Sequence, residues 1–95
     1  MVRKLQKADI DRVADIWLDT NLKAHDFISA QYWKRNFKLV KEMLLQAEVY
    51  VYESDQKIQG FIGLNNDYIE GIFVSDKMQS QGIGKILLND TKDKR

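Results

Sequence analysis

The first half of the chain has its apolar residues at helical spacing. A short β-rich run at 2–6 is followed by apolar residues that recur at i, i+3, i+4, i+7 and i+8: Ile10, Val13, Ala14, Trp17 and Leu18. The pattern predicts a strand and then an amphipathic helix, with Asp9 as its N-cap. The polar residues at 19–21 are predicted to end this helix.

A second helical pattern covers residues 29–44. Its apolar positions are Trp33, Phe37, Leu39, Val40, Met43 and Leu44. Ser29 precedes them as a candidate N-cap. An apolar face this wide predicts a helix that is extensively buried. Trp17 and Trp33 both fall on apolar helical faces, and we expect both in the core.

The second half of the chain changes to patterns typical of strands. Residues 48–53 and 58–64 are β-rich and are joined by a short polar link, which predicts a hairpin. A turn at 65–67 leads into a third such strand at 68–74, and a helix-like run begins at Ile86. The predicted order is β-α-α-β-β-β-α. This is an α/β protein of the α+β kind, with a mostly antiparallel sheet in one domain.

Between the last predicted strand and the last helix lies a glycine-containing turn, residues 79–85. Its residues are Gln79, Ser80, Gln81, Gly82, Ile83, Gly84 and Lys85. Glycines allow a ligand to approach the backbone closely, and a helix that begins there presents unpaired N–H groups and the positive end of its dipole. The turn therefore predicts a site for a pyrophosphate. The alternative is a tight connection that binds nothing.

Two other phosphate-binding motifs do not fit this turn. A P-loop needs four residues between its first Gly and the Gly-Lys pair, whereas one residue separates Gly82 from Gly84. It also needs Ser or Thr where Ile86 stands. The dinucleotide fingerprint needs a third glycine where this chain has Leu87. The remaining pattern is Q-x-x-G-x-G between a strand and a helix.

This pattern resembles the acetyl-CoA-binding motif of the GNAT superfamily of N-acetyltransferases. The segment 24–33, the pair at 39–40 and the hairpin that leads to residues 60–62 are similar to the front half of small bacterial members, so the resemblance covers all 95 residues. It implies a GNAT-like acyl-CoA N-acyltransferase fold as a single domain over residues 1–95. It also implies transfer of an acetyl group from acetyl-CoA, as cosubstrate, to a primary amine.

The resemblance implies which residues bind CoA. The backbone N–H groups of the turn 79–85 would hold the pyrophosphate. The backbone of Ile72, Phe73 and Val74 would pair with the pantetheine arm like an added strand. Lys85 would add positive charge near phosphate, although a lysine at such a position is equally typical of a solvated surface.

Fewer residues in the sequence indicate where the acceptor amine would bind. By resemblance, Glu70 lies near the place of a general base, and a carboxylate acts best in that role when partial burial raises its pKa toward neutrality. The alternative is a strand carboxylate that faces solvent. His25 and Phe27 would lie in the loop between the two early helices and border the acceptor pocket. The alternative is an ordinary surface loop.

Composition narrows the kinds of partner and site. The net charge is +1, from 15 basic and 14 acidic residues, so no bulk field favours nucleic acid or a membrane, and we expect a small-molecule partner. The chain has no cysteine and one histidine, so we predict neither disulfides nor a metal site of cysteine or histidine. No stretch is typical of a signal peptide or a membrane span, which predicts a cytoplasmic location.

The family pattern extends past the last residue of this sequence. The resemblance implies a further strand, a helix, a final strand pair and a tyrosine that protonates the leaving thiolate. We therefore expect a truncated domain that lacks the usual last strands. The strand 68–74 would then keep an unpaired apolar edge, which predicts a homodimer through that edge. Three functions stay open: an N-acetyltransferase, a catalytically inactive CoA-binding remnant, and an oligomeric interaction protein.

Overall fold

The structure, a computed structural model, describes residues 1–66 and 68–94. In chain order its elements are β1 (Val2–Lys4), α1 (Ile10–Ala24), α2 (Ala30–Arg35), α3 (Phe37–Gln46), β2 (Glu48–Ser54), β3 (Lys57–Asn65), β4 (Tyr68–Val74) and α4 (Ile83–Lys94). Short 3₁₀ turns, Lys7–Asp9 and Asp76–Met78, precede α1 and follow β4. The predicted α+β fold is confirmed. Asp67, which belongs to the predicted turn at 65–67, lies outside the described residues.

The four strands form one antiparallel sheet in the order β1-β2-β3-β4. The predicted hairpin joins β2 to β3 through Asp55 and Gln56, which have φ values of 53° and 65°. Positive φ at both central residues is the geometry of a type I′ turn, whose twist matches that of paired strands. Strand order follows chain order, so β1 and β4 are the edges of the described sheet.

Helices cover both faces of the sheet and create two apolar clusters. Helices α1 and α3 cover one face, with a core formed by Ile10, Val13, Ala14, Ile16, Leu44, Val49, Val51, Ile58 and Phe61. Helix α4 covers the other face, with a core formed by Val2, Tyr50, Ile62, Leu64, Ile83 and Leu87. The sheet thus separates the glycine turn, at the start of α4, from the loop that connects α1 to α2.

Helix α1 continues through the polar residues that were predicted to end it. Thr20 Oγ1 donates a hydrogen bond of 2.8 Å to the Ile16 carbonyl oxygen, and Asn21 Nδ2 donates one of 2.8 Å to the Trp17 carbonyl oxygen. Polar side chains of this kind can bond to the preceding helical turn. They remain satisfied inside the helix, so the predicted end at 19–21 is wrong.

The second predicted helix is divided, and it is less buried than expected. Asn36 separates α2 from α3, and Leu44 is the one buried residue among those of the two helices. Leu39 and Met43 are exposed, and Trp33 is half-buried. The prediction of extensive burial is therefore wrong. Helical periodicity identifies an apolar face, but it does not show how much of that face another element covers.

Asp9 precedes α1, but its carboxylate binds Arg3 instead of capping the helix. It accepts hydrogen bonds of 2.7 and 3.0 Å from Arg3 Nη1 and Nη2, and one of 2.8 Å from the backbone N–H of Gln6. Arg3 Nε also donates to Glu53 Oε1 at 2.8 Å. The hydrogen bonds from Arg3 hold the pKa of Asp9 below its usual range. These two partly buried ion pairs of Arg3 join β1 to β2 and to the start of α1.

We expect Asp9→Asn to lower the free energy of unfolding by roughly 1–3 kcal/mol at pH 7, because Arg3 and Gln6 lose a charged acceptor. The folded-state pKa of Asp9 is depressed, so the carboxylate stabilises the protein above the unfolded pKa of about 3.9. That contribution is lost as the pH falls through the folded-state pKa. Urea unfolding of the parent and of Asp9→Asn should therefore give free energies of unfolding whose difference becomes smaller at acid pH. An equal difference at pH 7 and at about pH 3 would contradict this account.

Candidate active site

The glycine turn forms the N-terminal end of α4. Ser80 and Gly82 have positive φ values of 69° and 79°. The Gly82 carbonyl oxygen accepts the first helical hydrogen bond, from the N–H of Ile86 at 3.0 Å. The N–H groups of residues 83–85 precede that bond and have no acceptor within the helix. Such groups, together with the helix dipole, favour an anion at this position.

The space in front of the turn is open at Gly82, and at Gly84 it borders Ile72 of β4. A Cβ atom placed on Gly82 would meet no heavy atom within 4 Å, and one placed on Gly84 would meet Ile72 Cγ2 at 3.6 Å. A ligand can therefore approach this backbone closely. The side chain of Ile83 is buried beneath α4, so this residue can bind a ligand through its backbone N–H. The side chains of four other turn residues are exposed: Gln79, Ser80, Gln81 and Lys85.

Hydrogen bonds attach the beginning of the turn to the sheet. The N–H of Ser75 donates to the Gln59 carbonyl oxygen at 2.8 Å, and Ser75 Oγ donates to Gln59 Oε1 at 3.1 Å. Gln59 is the extra residue of a β-bulge on β3. Gln79 Nε2 donates to the Val74 carbonyl oxygen at 3.2 Å. The turn therefore starts from a fixed point at the end of β4.

The residues predicted to pair with pantetheine lie on an edge strand. Ile72, Phe73 and Val74 pair with β3 on one side. Within the part of the chain that the structure describes, β4 has no strand neighbour on its other side. Main-chain groups on an open edge can pair with an extended ligand, as they do when a peptide adds a strand to a sheet.

A β-bulge decides which face of the sheet Glu70 lies on. The pairing of β3 with β4 shifts by one residue between Gly71 and Ile69, which leaves Glu70 as the extra residue. In a regular strand Glu70 would share the face of Ile72, which α4 covers. The bulge turns it toward α3 instead. Glu70 is exposed, and its Oε1 accepts a hydrogen bond of 3.2 Å from Asn65 Nδ2.

Glu70 lies on the rim of a mostly apolar groove between β4 and the helices α1 and α3. The groove has a volume of about 240 Å³. Its walls include Trp17, Val40, Met43, Phe61, Gly71 and Phe73. A groove of this kind can take a hydrocarbon stem, and the carboxylate at its rim can accept a proton from an ammonium group. The sequence had marked Glu70 but not the groove beside it.

His25 and Phe27 belong to an aromatic cluster after the end of α1. The ring of His25 stacks on Trp33 at a centroid distance of 5.5 Å and meets the ring of Phe27 edge-on at 5.8 Å. Trp33 contacts Trp17, a wall of the groove, at 5.8 Å. The two tryptophans therefore connect the predicted acceptor residues to the groove. Trp33 had been predicted in the core, so this connection was missed.

An ion pair joins the last turns of α1 to the 3₁₀ turn that precedes the glycine turn. Lys23 Nζ lies 3.1 Å from Asp76 Oδ2 and 3.1 Å from Asp19 Oδ2. The hydrogen bond to Asp76, and then that to Asp19, raise the pKa of Lys23, so its ammonium stays charged. The side chains are exposed, and such pairs contribute little to stability. The spacing of Asp19 and Lys23 was visible in the sequence, but the contact with Asp76 was not.

Within residues 1–66 and 68–94, no cluster of His, Cys, Asp and Glu side chains is arranged to hold a metal ion. None of the helices described is long and apolar enough to cross a membrane.

Known proteins similar in sequence are acetyltransferases. The family described as "Acetyltransferase (GNAT) domain" matches residues 14–95. Peptidyl-lysine N-acetyltransferase YiaC of Escherichia coli is 32% identical over 90 residues, which are 93% of this chain and 62% of YiaC. Peptidyl-lysine N-acetyltransferase YjaB of Salmonella typhimurium is 28% identical over 88 residues, which are 92% of this chain and 61% of YjaB. The chain thus spans about three fifths of the length of these relatives.

Solved structures share the fold. The solution structure of apo-form YjaB from Escherichia coli superposes with a TM-score of 0.82 at 23% identity, over 95% of this chain and 62% of that one. The PaiA N-acetyltransferase from Thermoplasma acidophilum, solved in complex with coenzyme A, gives a TM-score of 0.83 at 19% identity, over 98% of this chain and 69% of that one.

Proposed function

This chain belongs to the GNAT acetyltransferase family, and from that membership we propose that it transfers an acetyl group from acetyl-CoA to a primary amine. The observation that carries the proposal is the placement of Glu70. It lies on the strand that leads into the open glycine turn, at the rim of a groove that fits a hydrocarbon stem. A donor site and an acceptor site therefore meet along β4.

On the donor side, the pyrophosphate of CoA binds the backbone N–H groups at the start of α4. The pantetheine arm then runs along the outer edge of β4, past Val74, Phe73 and Ile72. The open space at Gly82 supports this arrangement. The coenzyme A complex of the PaiA enzyme, which has the same fold, supports an acyl-CoA donor.

On the acceptor side, Glu70 accepts a proton from the ammonium group. The neutral amine attacks the thioester carbonyl carbon, the new C–N bond forms and the C–S bond breaks. The nitrogen loses a second proton as the amide forms, and CoA leaves as a thiolate that takes up one proton, so the transfer releases no net proton beyond the one that Glu70 accepted. Groups that orient the two reactants along one strand lower the activation barrier, because the entropy cost of bringing the reactants together is met on binding.

We propose a lysine side chain of a polypeptide as the acceptor. YiaC and YjaB are named peptidyl-lysine N-acetyltransferases. The groove is lined by apolar and aromatic side chains, which suit the four-carbon stem of lysine, and Glu70 lies where its ammonium would emerge.

A thermal shift experiment followed by a thiol-release assay tests this function. Acetyl-CoA at 100 times its Kd should stabilise the protein by about 2.7 kcal/mol, and an analogue without its phosphates should stabilise it much less. Thiol should then be released when a lysine peptide is added. The absence of any shift with acetyl-CoA would contradict the proposal. A shift without thiol release would favour the alternative, a CoA-binding remnant.

Location and partners beyond the two substrates stay predictions. The sequence predicts a cytoplasmic protein without nucleic-acid or membrane partners, and a homodimer. A homodimer through the outer edge of β4 remains our proposal, at the Ile69 end of the strand, so that the backbone of residues 72–74 stays open to CoA.

The edge of β4 exposes Ile69 and Ile72 and has no strand neighbour among the described residues. Because an open apolar edge is a template for association, light scattering at micromolar concentration should give twice the chain mass of 11.2 kDa. Ile69→Lys should give a monomer, whereas Leu45→Lys, at an exposed position on α3, should not. A parent protein that is monomeric and folded by circular dichroism would contradict this prediction.

A further inference from the structure

Three large apolar side chains form an exposed stripe along α2 and α3. Tyr32, Leu39 and Met43 are 51%, 51% and 58% exposed. Their spacing places them on one side of the helical segment, and Asn36 between the two helices keeps right-handed helical backbone angles. Single exposed apolar residues are ordinary, but a contiguous row of them marks a surface that binds something.

The stripe ends at the groove beside Glu70. Met43 forms part of the groove wall. At the other end, the ring of Tyr32 meets that of Trp33 at a centroid distance of 5.0 Å, and Trp33 contacts the groove residue Trp17. A polypeptide whose lysine occupies the groove would therefore have its flanking residues over this stripe.

Two positive charges flank the stripe on its solvent side. Arg35 and Lys38 are exposed and form no ion pair with any described residue, and Lys34 adds a further exposed cation on the other side of the segment. Lys41 Nζ forms an ion pair with Asp11 Oδ1 at 3.1 Å. Glu42 is the one carboxylate in α2 and α3, so this surface is basic although the whole chain is nearly neutral. Complementary charge steers and orients a partner of opposite sign.

We propose that this α2–α3 surface, formed by Tyr32, Arg35, Lys38, Leu39 and Met43, binds an acidic polypeptide segment that flanks the acceptor lysine. The inference rests on the proposed acetyl transfer and names the kind of substrate. An apolar side chain of the segment packs on the stripe, and its carboxylates pair with the free cations. A few cations beside an apolar stripe suit a peptide, whereas nucleic-acid surfaces rely on many phosphate contacts.

Direct binding of labelled peptides tests the proposal. Two peptides with a central lysine are compared by fluorescence anisotropy: one flanked by Glu and Leu, the other by Gln and Leu. At about 0.05 M salt the acidic peptide should bind at least fivefold tighter. The advantage should vanish at about 1 M salt, where the screening length falls to about 3 Å.

Matched variants assign the effect to this surface. Arg35→Gln/Lys38→Gln should remove the preference for the acidic peptide. Lys92→Gln/Lys94→Gln, which removes two cations from α4, should keep it. Leu39→Ser should weaken both peptides by a similar factor, because it removes apolar contact and not charge. All these positions are exposed, and circular dichroism checks that each variant folds.

The experiment separates this proposal from the proposed function. Selective peptide binding without thiol release would support the docking surface and contradict the transfer reaction. Thiol release at equal kcat/KM for both peptides would support transfer and overturn the docking surface. Tighter binding of a single-stranded DNA of similar length through Arg35 and Lys38 would overturn it too. So would self-association that Leu39→Ser abolishes, because the stripe would then bind a second copy.

Discussion

Gly84→Val should weaken acetyl-CoA binding by at least a hundredfold while the protein stays folded. The new side chain would fill the space between the start of α4 and Ile72, where the pyrophosphate and the pantetheine arm of CoA are proposed to meet. Its Cβ would meet Ile72 Cγ2 at 3.6 Å, which is an ordinary contact, so we expect the fold to accommodate it. Valine also has a better helix propensity than glycine. Loss of binding would then reflect the ligand and not the fold.

Gly84 gives a sharper test than Gly82, because Gly82 has a φ of 79° and a side chain there is strained. The matched control is Asn89→Val, which places the same side chain at an exposed position further along α4. Isothermal titration measures binding of acetyl-CoA, and urea unfolding measures the stability of each variant. A Gly84→Val protein that binds acetyl-CoA as well as the parent would move the donor site away from the glycine turn.

Glu70→Gln should lower kcat by about a hundredfold, the usual size of a general-base contribution, and leave acetyl-CoA affinity nearly unchanged. Glutamine keeps the size of the side chain, and its amide oxygen can still accept the hydrogen bond from Asn65. What is lost is the capacity to take a proton from the acceptor ammonium. Thiol release with a lysine peptide measures the rate, and isothermal titration measures CoA binding.

The matched control for Glu70 is Asp93→Asn, which neutralises an exposed carboxylate on α4. It should leave both kcat and acetyl-CoA affinity as in the parent. If Glu70→Gln reduces binding and rate by the same factor, Glu70 has a structural role. If it reduces neither, the proton acceptor is elsewhere.

The strands were predictable from sequence because the signals there are local. Runs of β-rich residues separated by polar links gave all three long strands, and the motif at 79–85 gave the turn that begins α4. The helices were less predictable. Thr20 and Asn21 look like helix-ending residues, but their side chains bond to the preceding turn. Leu39 and Met43 have the spacing of buried residues, but no described element covers them.

The candidate site was predictable as a set of residues but not as an arrangement. Glu70 was identified from its position before the turn. The face of the sheet that it occupies is decided by a β-bulge, and the bulge arises only when β4 pairs with β3. The link between His25 and the groove depends on Trp33 packing against Trp17. The ion pair of Lys23 with Asp76 joins residues far apart in the chain. Such features arise from tertiary contacts, which local patterns do not encode.

The order of strands in the sheet has a consequence for how the molecule folds. Strands β2, β3 and β4 are joined by short links, so their pairing requires closure of small loops, whose entropic cost is low. Strand β1 instead pairs Val2 with Tyr52, from the opposite half of the chain. This pairing closes a much longer loop, which has a higher entropic cost. We therefore expect the three-stranded meander that carries Glu70 to pair before β1 joins it.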